Sequence, residues 1–182
     1  LALLRDLPAR VRATTWGPSS GRTLNGLTAV VVGGGGIAQE YIRLLKTWDV
    51  HVTAVRRRAG DVPGADRTVT TDRLDEVLPG AQVVMIAAAA TEETRGMFDA
   101  DRLALLDEDA VLVNVARGAL VDTDAVVQTL AAGRLHGYGT DVTDPEPLPE
   151  GHPLWTEERA LITPHTADTP EMCVPLLHAR VE

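Results

Sequence analysis

The glycines that follow the first apolar segment have a spacing that suits the binding of a pyrophosphate. The segment reads Gly33-x-Gly35-x-x-Ala38, and Gly36 and Ile37 occupy the two positions before Ala38. The first glycine permits a tight turn, the second lets backbone amides approach a phosphate, and the small third position lets a helix pack against a strand. A glycine turn without a ligand is the alternative. No Gly-Lys-Ser/Thr follows, which excludes a mononucleotide P-loop.

Three consecutive arginines, Arg56, Arg57 and Arg58, stand where the second apolar segment ends. An acidic residue at this point would accept a hydrogen bond from the adenosine ribose of NAD, whereas arginine accommodates the 2′-phosphate of NADP. A guanidinium binds phosphate through two parallel hydrogen bonds. The sequence therefore favours NADP(H), with Arg56 and Arg57 as the contacts. NAD(H) binding beside a solvated arginine turn stays open as the alternative.

Short apolar segments alternate with helical patterns from residue 27 onward, which is typical of stacked βαβ units. The predicted strands are 28–32, 51–55, 83–87, 111–115, 136–141 and 160–162. The predicted helices are 36–47, 72–78, 99–106 and 123–132, and a last one begins near Thr169. Asp122 is the expected N-cap of the fourth helix and Gly133 its C-terminal stop. Right-handed crossovers then give an α/β fold with a doubly wound parallel sheet, a Rossmann-type nucleotide-binding domain.

Several stretches resemble motifs of the D-isomer-specific 2-hydroxyacid dehydrogenase family. They are VNVARGALVD at 113–122, TEETRG at 91–96, DVTDPEPL at 141–148, HPLW at 152–155 and TPH at 163–165. Their order and spacing also match the family from about Leu1 to Glu182. Two departures concern the pocket lining: Ala88-Ala89 replaces a frequent Leu-Pro, and Thr143 replaces a frequent aromatic residue.

The resemblance implies a catalytic trio of Arg117, Glu146 and His165, with Asp141 contacting the nicotinamide end of the cofactor. It also implies a set of further cofactor contacts, which are Ala88, Thr94, Val115 and Ala116. No metal ligand is implied. The other histidines, which are His51, His136, His152 and His178, are interpreted as structural.

The trio is also consistent with elementary chemistry. Arg117 follows a buried strand and can hold the carboxylate of a 2-oxo acid and polarise its carbonyl. His165 can donate a proton to the carbonyl oxygen, and Glu146 can orient the imidazole and favour its protonated form. Each residue also has a simpler interpretation: a strand-end arginine, a solvated acid in a proline-rich loop, and a structural histidine.

The predicted organisation is an entering helix and linker at 1–26, a dinucleotide-binding domain at 27–168 and the start of an exiting helix at 169–182. The helix is predicted at 1–15. The family's second domain, which closes over the substrate, is largely absent from this sequence. We therefore expect a piece of a longer polypeptide that binds cofactor but turns over poorly, because the cleft that excludes water is incomplete.

Composition narrows the class of partner. A net charge of -9 argues against nucleic acid and anionic membranes as partners. The single cysteine, Cys173, cannot form an internal disulfide, and no apolar run approaches a membrane span, so we expect the cytoplasm. The expected partners are a nicotinamide dinucleotide and a small 2-oxo or 2-hydroxy acid, and the resemblance implies a homodimer. A non-catalytic nucleotide sensor or corepressor-like binding protein of the same fold is the competing hypothesis.

Overall fold

A computed structural model describes residues 22–166 and 173–174 of the chain. Its strands form one sheet of seven parallel strands in the order β3-β2-β1-β4-β5-β6-β7. The strands are β1 Thr28–Val32, β2 His51–Arg56, β3 Arg67–Thr70, β4 Val83–Ile86, β5 Val111–Asn114, β6 Gly137–Thr140 and β7 Ala160–Ile162. This order confirms the predicted doubly wound α/β fold.

Four α-helices connect the described strands. They are α1 Gly36–Lys46, α2 Leu74–Val77, α3 Ala100–Leu103 and α4 Thr123–Ala131, with 3-10 turns at Thr71–Arg73, Gly118–Leu120 and Pro153–Trp155. Asp122 caps α4 as predicted, because its carboxylate accepts a hydrogen bond from Ala125 N–H at 3.0 Å. Gly133, with φ +72°, follows the end of α4 in the left-handed conformation expected of a helix stop. No helix within residues 22–166 and 173–174 has the length and apolar character to span a bilayer.

The core consists of two clusters, one on each face of the sheet. Alternate residues of β1 point in opposite directions, so Ala29 and Val31 join one cluster while Val30 and Val32 join the other. The first cluster is covered by α1 through Ala38, Ile42 and Leu45, and the second contains residues of α2, α3 and α4. Burial on both faces explains why the central strands are nearly continuous apolar runs.

The main correction concerns β3, which the sequence analysis did not predict. Of its four residues only Val69 is buried, because Arg67–Thr70 forms the edge of the sheet. A strand that buries one side chain leaves little apolar signal. The predicted strand starts are right except at 136, and the ends differ by one residue for β2, β4, β5 and β6.

The helices at 72–78 and 99–106 are shorter than predicted. The first is a 3-10 turn followed by α2, and the second is α3 alone. Both segments bury only a few side chains, which favours short irregular turns over long helices. The helix predicted at 1–15 lies outside the described residues. So does the helix predicted from Thr169, except 173–174, which are helical.

The strand order determines where a site can form. The chain runs from β1 outward to β2 and β3, then returns to the other side of β1 with β4. Loops on either side of this reversal diverge from the carboxyl edge, which leaves a crevice between β1 and β4. The glycine loop lies at this point.

Candidate active site

The glycine loop is clamped between the neighbouring strands. Gly33 N–H donates a hydrogen bond to Val55 O at 2.7 Å, which ties the loop to the end of β2. A Cβ on Gly33 would lie 2.4 Å from the carbonyl oxygen of Ala87, in the segment after β4. Gly33 also has φ +136°, a conformation that other residues rarely adopt. Both constraints require glycine at this position.

The amino end of α1 is suited to an anion. Gly35 is its N-cap and provides no side-chain hydrogen bond, and the first turn contains no acidic residue. Added Cβ atoms on Gly35 and Gly36 would meet open space, so the backbone is accessible there. Within α1, Ala38 is fully buried, whereas Ile37 is exposed. The first-turn amides can therefore bind the pyrophosphate of a dinucleotide, with which this geometry is compatible.

Two of the three arginines occupy different environments at the end of β2. Arg56 is half-buried, and its Nη1 donates to Asp61 O at 3.3 Å. Its Nε lies 3.6 Å from the position of a Cβ on Gly34, so the guanidinium packs beside the glycine loop. Arg57 is exposed, and its Nη1 lies 3.9 Å from Glu93 Oε2.

The loop after β4 contains Ala88 and Thr94. Ala88 is half-buried, and its backbone nitrogen would lie 3.2 Å from a Cβ on Gly33. The Thr94 hydroxyl donates to Ala89 O and accepts from Thr91 N–H, both at 2.8 Å. Thr94 therefore shapes this loop, and its predicted contact with a cofactor stays a prediction.

Arg117 lies in a loop that the buried Asn114 holds in place. The Asn114 amide donates to Arg117 O and accepts from Ala116 N–H, both at 3.0 Å. Arg117 Nη1 donates to Ala116 O at 2.6 Å, and the side chain is exposed. Ala116 is buried and Val115 is half-buried. The loop after β5 thus presents one guanidinium at the carboxyl edge while Asn114 holds its backbone.

Glu146 and His165 form a pair, although 19 residues separate them. His165 Nδ1 lies 2.7 Å from Glu146 Oε1, and the two side chains are 36% and 45% exposed. The pKa of Glu146 is lowered, first by this hydrogen bond, then by a backbone N–H bond from Thr143 and by the charges of His165 and Arg117. An ionised carboxylate accepts only, so the His165 Nδ1–H donates.

A close backbone contact brings the loops of Arg117 and Glu146 together. A Cβ on Gly118 would lie 2.0 Å from the carbonyl carbon of Thr143 and 2.4 Å from the nitrogen of Asp144. These distances are far below any real contact, so only glycine permits the approach. The loop that follows β6 therefore rests directly on the loop that follows β5.

Asp141 is held by the loop that leads to His165. Thr163 Oγ1 donates to Asp141 Oδ1 at 2.5 Å, and Thr163 N–H donates to Thr140 O at 2.9 Å. Asp141 N–H donates to Asn114 O at 3.2 Å. The ends of β5, β6 and β7 are thereby linked through one network.

The predicted residues lie at the carboxyl ends of the strands. Most are in loops, whereas Arg56 ends β2 and residues 36–38 begin α1. The structure brings Arg117, Glu146 and His165 together and places the glycine loop beside Arg56. Several supporting residues have no role that the sequence predicts, and these are Asn114, Gly118, Thr163 and Glu93. The sequence indicates Asn114 only as a polar residue at the end of an apolar strand. The contacts of the other three residues depend on loops that are distant in the sequence.

Comparison with known proteins gives a consistent assignment. A family model described as "D-isomer specific 2-hydroxyacid dehydrogenase, NAD binding domain" matches residues 1–167. Formate dehydrogenase 2, mitochondrial, of Oryza sativa subsp. japonica is 36% identical over 149 residues, which is 80% of this chain and 39% of that protein. Glyoxylate/hydroxypyruvate reductase A of Enterobacter sp. (strain 638) is 29% identical over 162 residues, 89% of this chain and 52% of that protein.

A solved structure with NADPH also resembles this chain. It is a D-isomer specific 2-hydroxyacid dehydrogenase from Xanthobacter autotrophicus Py2 in complex with NADPH and MES. The TM-score is 0.81 at 31% sequence identity, over 97% of this chain and 75% of that chain. The chain spans about half the length, or less, of the curated relatives it matches.

Proposed function

The chain belongs to the D-isomer specific 2-hydroxyacid dehydrogenase family, and on that premise we propose that it is the dinucleotide-binding part of an oxidoreductase acting on 2-hydroxy and 2-oxo acids. The observation that carries the proposal is the Glu146–His165 pair at 2.7 Å, with the charge of Arg117 close by. This arrangement provides a proton donor and an anion-binding guanidinium at the edge where the glycine loop lies.

The proposed roles follow from the geometry. Arg117 binds the substrate carboxylate and polarises the adjacent carbonyl. Because Glu146 engages His165 Nδ1, the proposed site of proton exchange with the substrate is Nε2. The glycine loop would hold a nicotinamide cofactor, which would supply the hydride. His165 then delivers a proton to the carbonyl oxygen, and in the oxidative direction removes it.

The proposed cofactor is NADP(H), and NAD(H) is the alternative. The support for this preference is Arg56, which lies beside the glycine loop at the end of β2 where a ribose 2′-phosphate would bind. Asp141 would contact the nicotinamide end. The remaining predicted contacts lie in the surrounding loops, and homodimer formation stays a prediction from the family resemblance.

The proposed substrates are glyoxylate and hydroxypyruvate, which the names of several relatives mention. The test measures NADPH oxidation with a panel of 2-oxo acids, using this chain and any longer polypeptide that contains it. We expect turnover in the longer polypeptide and loss of turnover in His165→Ala. Cofactor binding without turnover of any 2-oxo acid would refute the dehydrogenase and favour the nucleotide sensor.

The cofactor preference is tested by titration calorimetry with NADPH and NADH. Arg56→Asp should reverse or abolish the preference for NADPH, because a carboxylate repels a 2′-phosphate. Arg58→Asp makes the same change of charge at an exposed position two residues away and serves as the control. An unchanged preference in Arg56→Asp would refute the assignment to Arg56.

A further inference from the structure

An ion pair crosses the carboxyl edge of the sheet above the glycine loop. Arg57 follows β2, and Glu93 lies in the loop after β4. Because β2 and β4 flank β1 on opposite sides, the pair spans the end of β1, where the glycine loop begins. The pair therefore lies across the region that a dinucleotide must occupy.

The two arginines beside this loop are held in different ways. Arg56 donates to Asp61 O and packs beside the glycine backbone. Arg57 is 63% exposed and Glu93 is 72% exposed, and their closest atoms are 3.9 Å apart, which is an ion pair beyond hydrogen-bonding distance. Such a contact is weak and readily exchanged. Arg57 can therefore move to another anion when one is offered.

We propose that Glu93 is a specificity-determining residue, which competes with the 2′-phosphate of NADP(H) for Arg57 and so limits the preference for NADP(H). The inference rests on the proposed function, since it assumes a dinucleotide in the crevice. A 2′-phosphate carries between one and two negative charges near neutral pH, and it binds at the end of β2. Arg57 must leave Glu93 to reach it. NAD(H) has only a hydroxyl at this position and makes no such demand.

The test compares two glutamates that are neighbours in the chain. Glu93→Gln removes the competing charge. Glu92→Gln removes an equal charge at the preceding residue, whose side chain forms no ion pair within the described residues. Calorimetric titration with NADPH and NADH gives the dissociation constants. Relative to Glu92→Gln, we expect Glu93→Gln to bind NADPH about twofold to fivefold more tightly, the range for an exposed ion pair, and to bind NADH unchanged.

Arg57→Ala separates competition for the arginine from simple repulsion of the phosphate. If Glu93 acts through Arg57, the effect of Glu93→Gln on NADPH disappears in the Arg57→Ala background. It should also shrink as the salt concentration rises, because exposed charges are screened. Circular dichroism of each variant checks that the fold is intact.

The outcomes distinguish this inference from the proposed function. Equal NADPH affinities for Glu93→Gln and Glu92→Gln, or a Glu93→Gln effect that persists with Arg57→Ala, would overturn the inference while leaving the Arg56 assignment standing. Failure of Arg56→Asp to alter the preference, with the Arg57-dependent effect intact, would overturn that assignment alone. No binding of either cofactor by the unaltered chain would overturn both.

Discussion

Replacing Gly118 by alanine should separate Glu146 from His165 without changing either residue. The added Cβ would lie 2.0 Å from the carbonyl carbon of Thr143, and an ordinary contact begins at 3.4 Å, so the backbone must move by about 1.4 Å. Glu146 should move with this loop, because it follows Thr143 by three residues in the same loop and its Oε2 also makes a long contact of 3.4 Å with Thr143 N–H. A shift of this size takes the 2.7 Å contact with His165 beyond the limit of about 3.2 Å for a good hydrogen bond.

Three measurements follow from that displacement. Overpacking should lower the free energy of unfolding by about 1–3 kcal/mol in urea denaturation. The pKa of Glu146 should rise toward its ordinary value, because the His165 hydrogen bond is the largest cause of its lowering, and carboxyl carbon NMR detects this. Turnover by a polypeptide that contains the chain should fall about 100-fold, as for a misplacement of about 1 Å.

Gly139→Ala is the matched control for Gly118→Ala. It makes the same change in β6, where the added Cβ would lie 3.9 Å from a side-chain carbon of Val113, an ordinary contact. Stability and the pKa of Glu146 should therefore stay near those of the unaltered chain. If Gly118→Ala and Gly139→Ala gave the same pKa for Glu146 and the same stability, the loop contact would not position the pair.

Three further substitutions test other parts of the site. Gly33→Ala should lower both stability and dinucleotide affinity, each measurable by urea denaturation and calorimetry, because φ is +136° and the backbone after β4 blocks a Cβ; unchanged affinity would contradict the role of the loop. His165→Ala should raise the pKa of Glu146 toward its ordinary value. The lowered pKa of Glu146 stabilises the folded chain above about pH 4.5, and this stabilisation is lost as the pH falls through the folded pKa. The difference in stability between the unaltered chain and His165→Ala should therefore close in acid. A difference that widens in acid would contradict this. Asn114→Ala should lower the free energy of unfolding by about 1–3 kcal/mol, because it leaves backbone groups of the Arg117 loop without their partners. Equal stability of the variant and the unaltered chain in urea denaturation would exclude this role.

The centre of the sheet was predictable because β1 and β4 are buried on both faces. The run from Ala29 to Val32 is completely buried, and so is Val83–Ile86, which pairs with it. An apolar run of this kind is visible without any knowledge of the fold. The edge strand Arg67–Thr70 lacks the signal, since water replaces the core on most of its surface.

The candidate site was predictable only where one strand end determines a residue's position. The glycine loop follows β1 and Arg117 follows β5, so strand prediction alone places both at the carboxyl edge. The contact of Gly118 with Thr143 joins two residues that are 25 positions apart in the sequence. A glycine's own neighbours in the sequence do not indicate what its missing side chain would strike.

The same reasoning applies to cofactor selectivity. The sequence places three arginines at the end of β2, and their charge alone favours a 2′-phosphate. The strand order adds Glu93, because the chain crosses from β3 back to β4 and sets a carboxylate opposite Arg57. Under the proposed competition, the preference for NADP(H) depends on charges from both sides of the reversal, and the number of arginines after β2 alone overstates that preference.

The functional side chains are partly exposed, whereas the contacts that place them are buried or made by backbone. His165 and Glu146 are 36% and 45% exposed, yet Asn114 is fully buried and Gly118 is in contact with a neighbouring loop. Packed groups transmit a change of one methyl group, while solvated side chains adjust to it. Substitution of the supporting residues should therefore impair the proposed function, and it should do so with a measurable loss of stability.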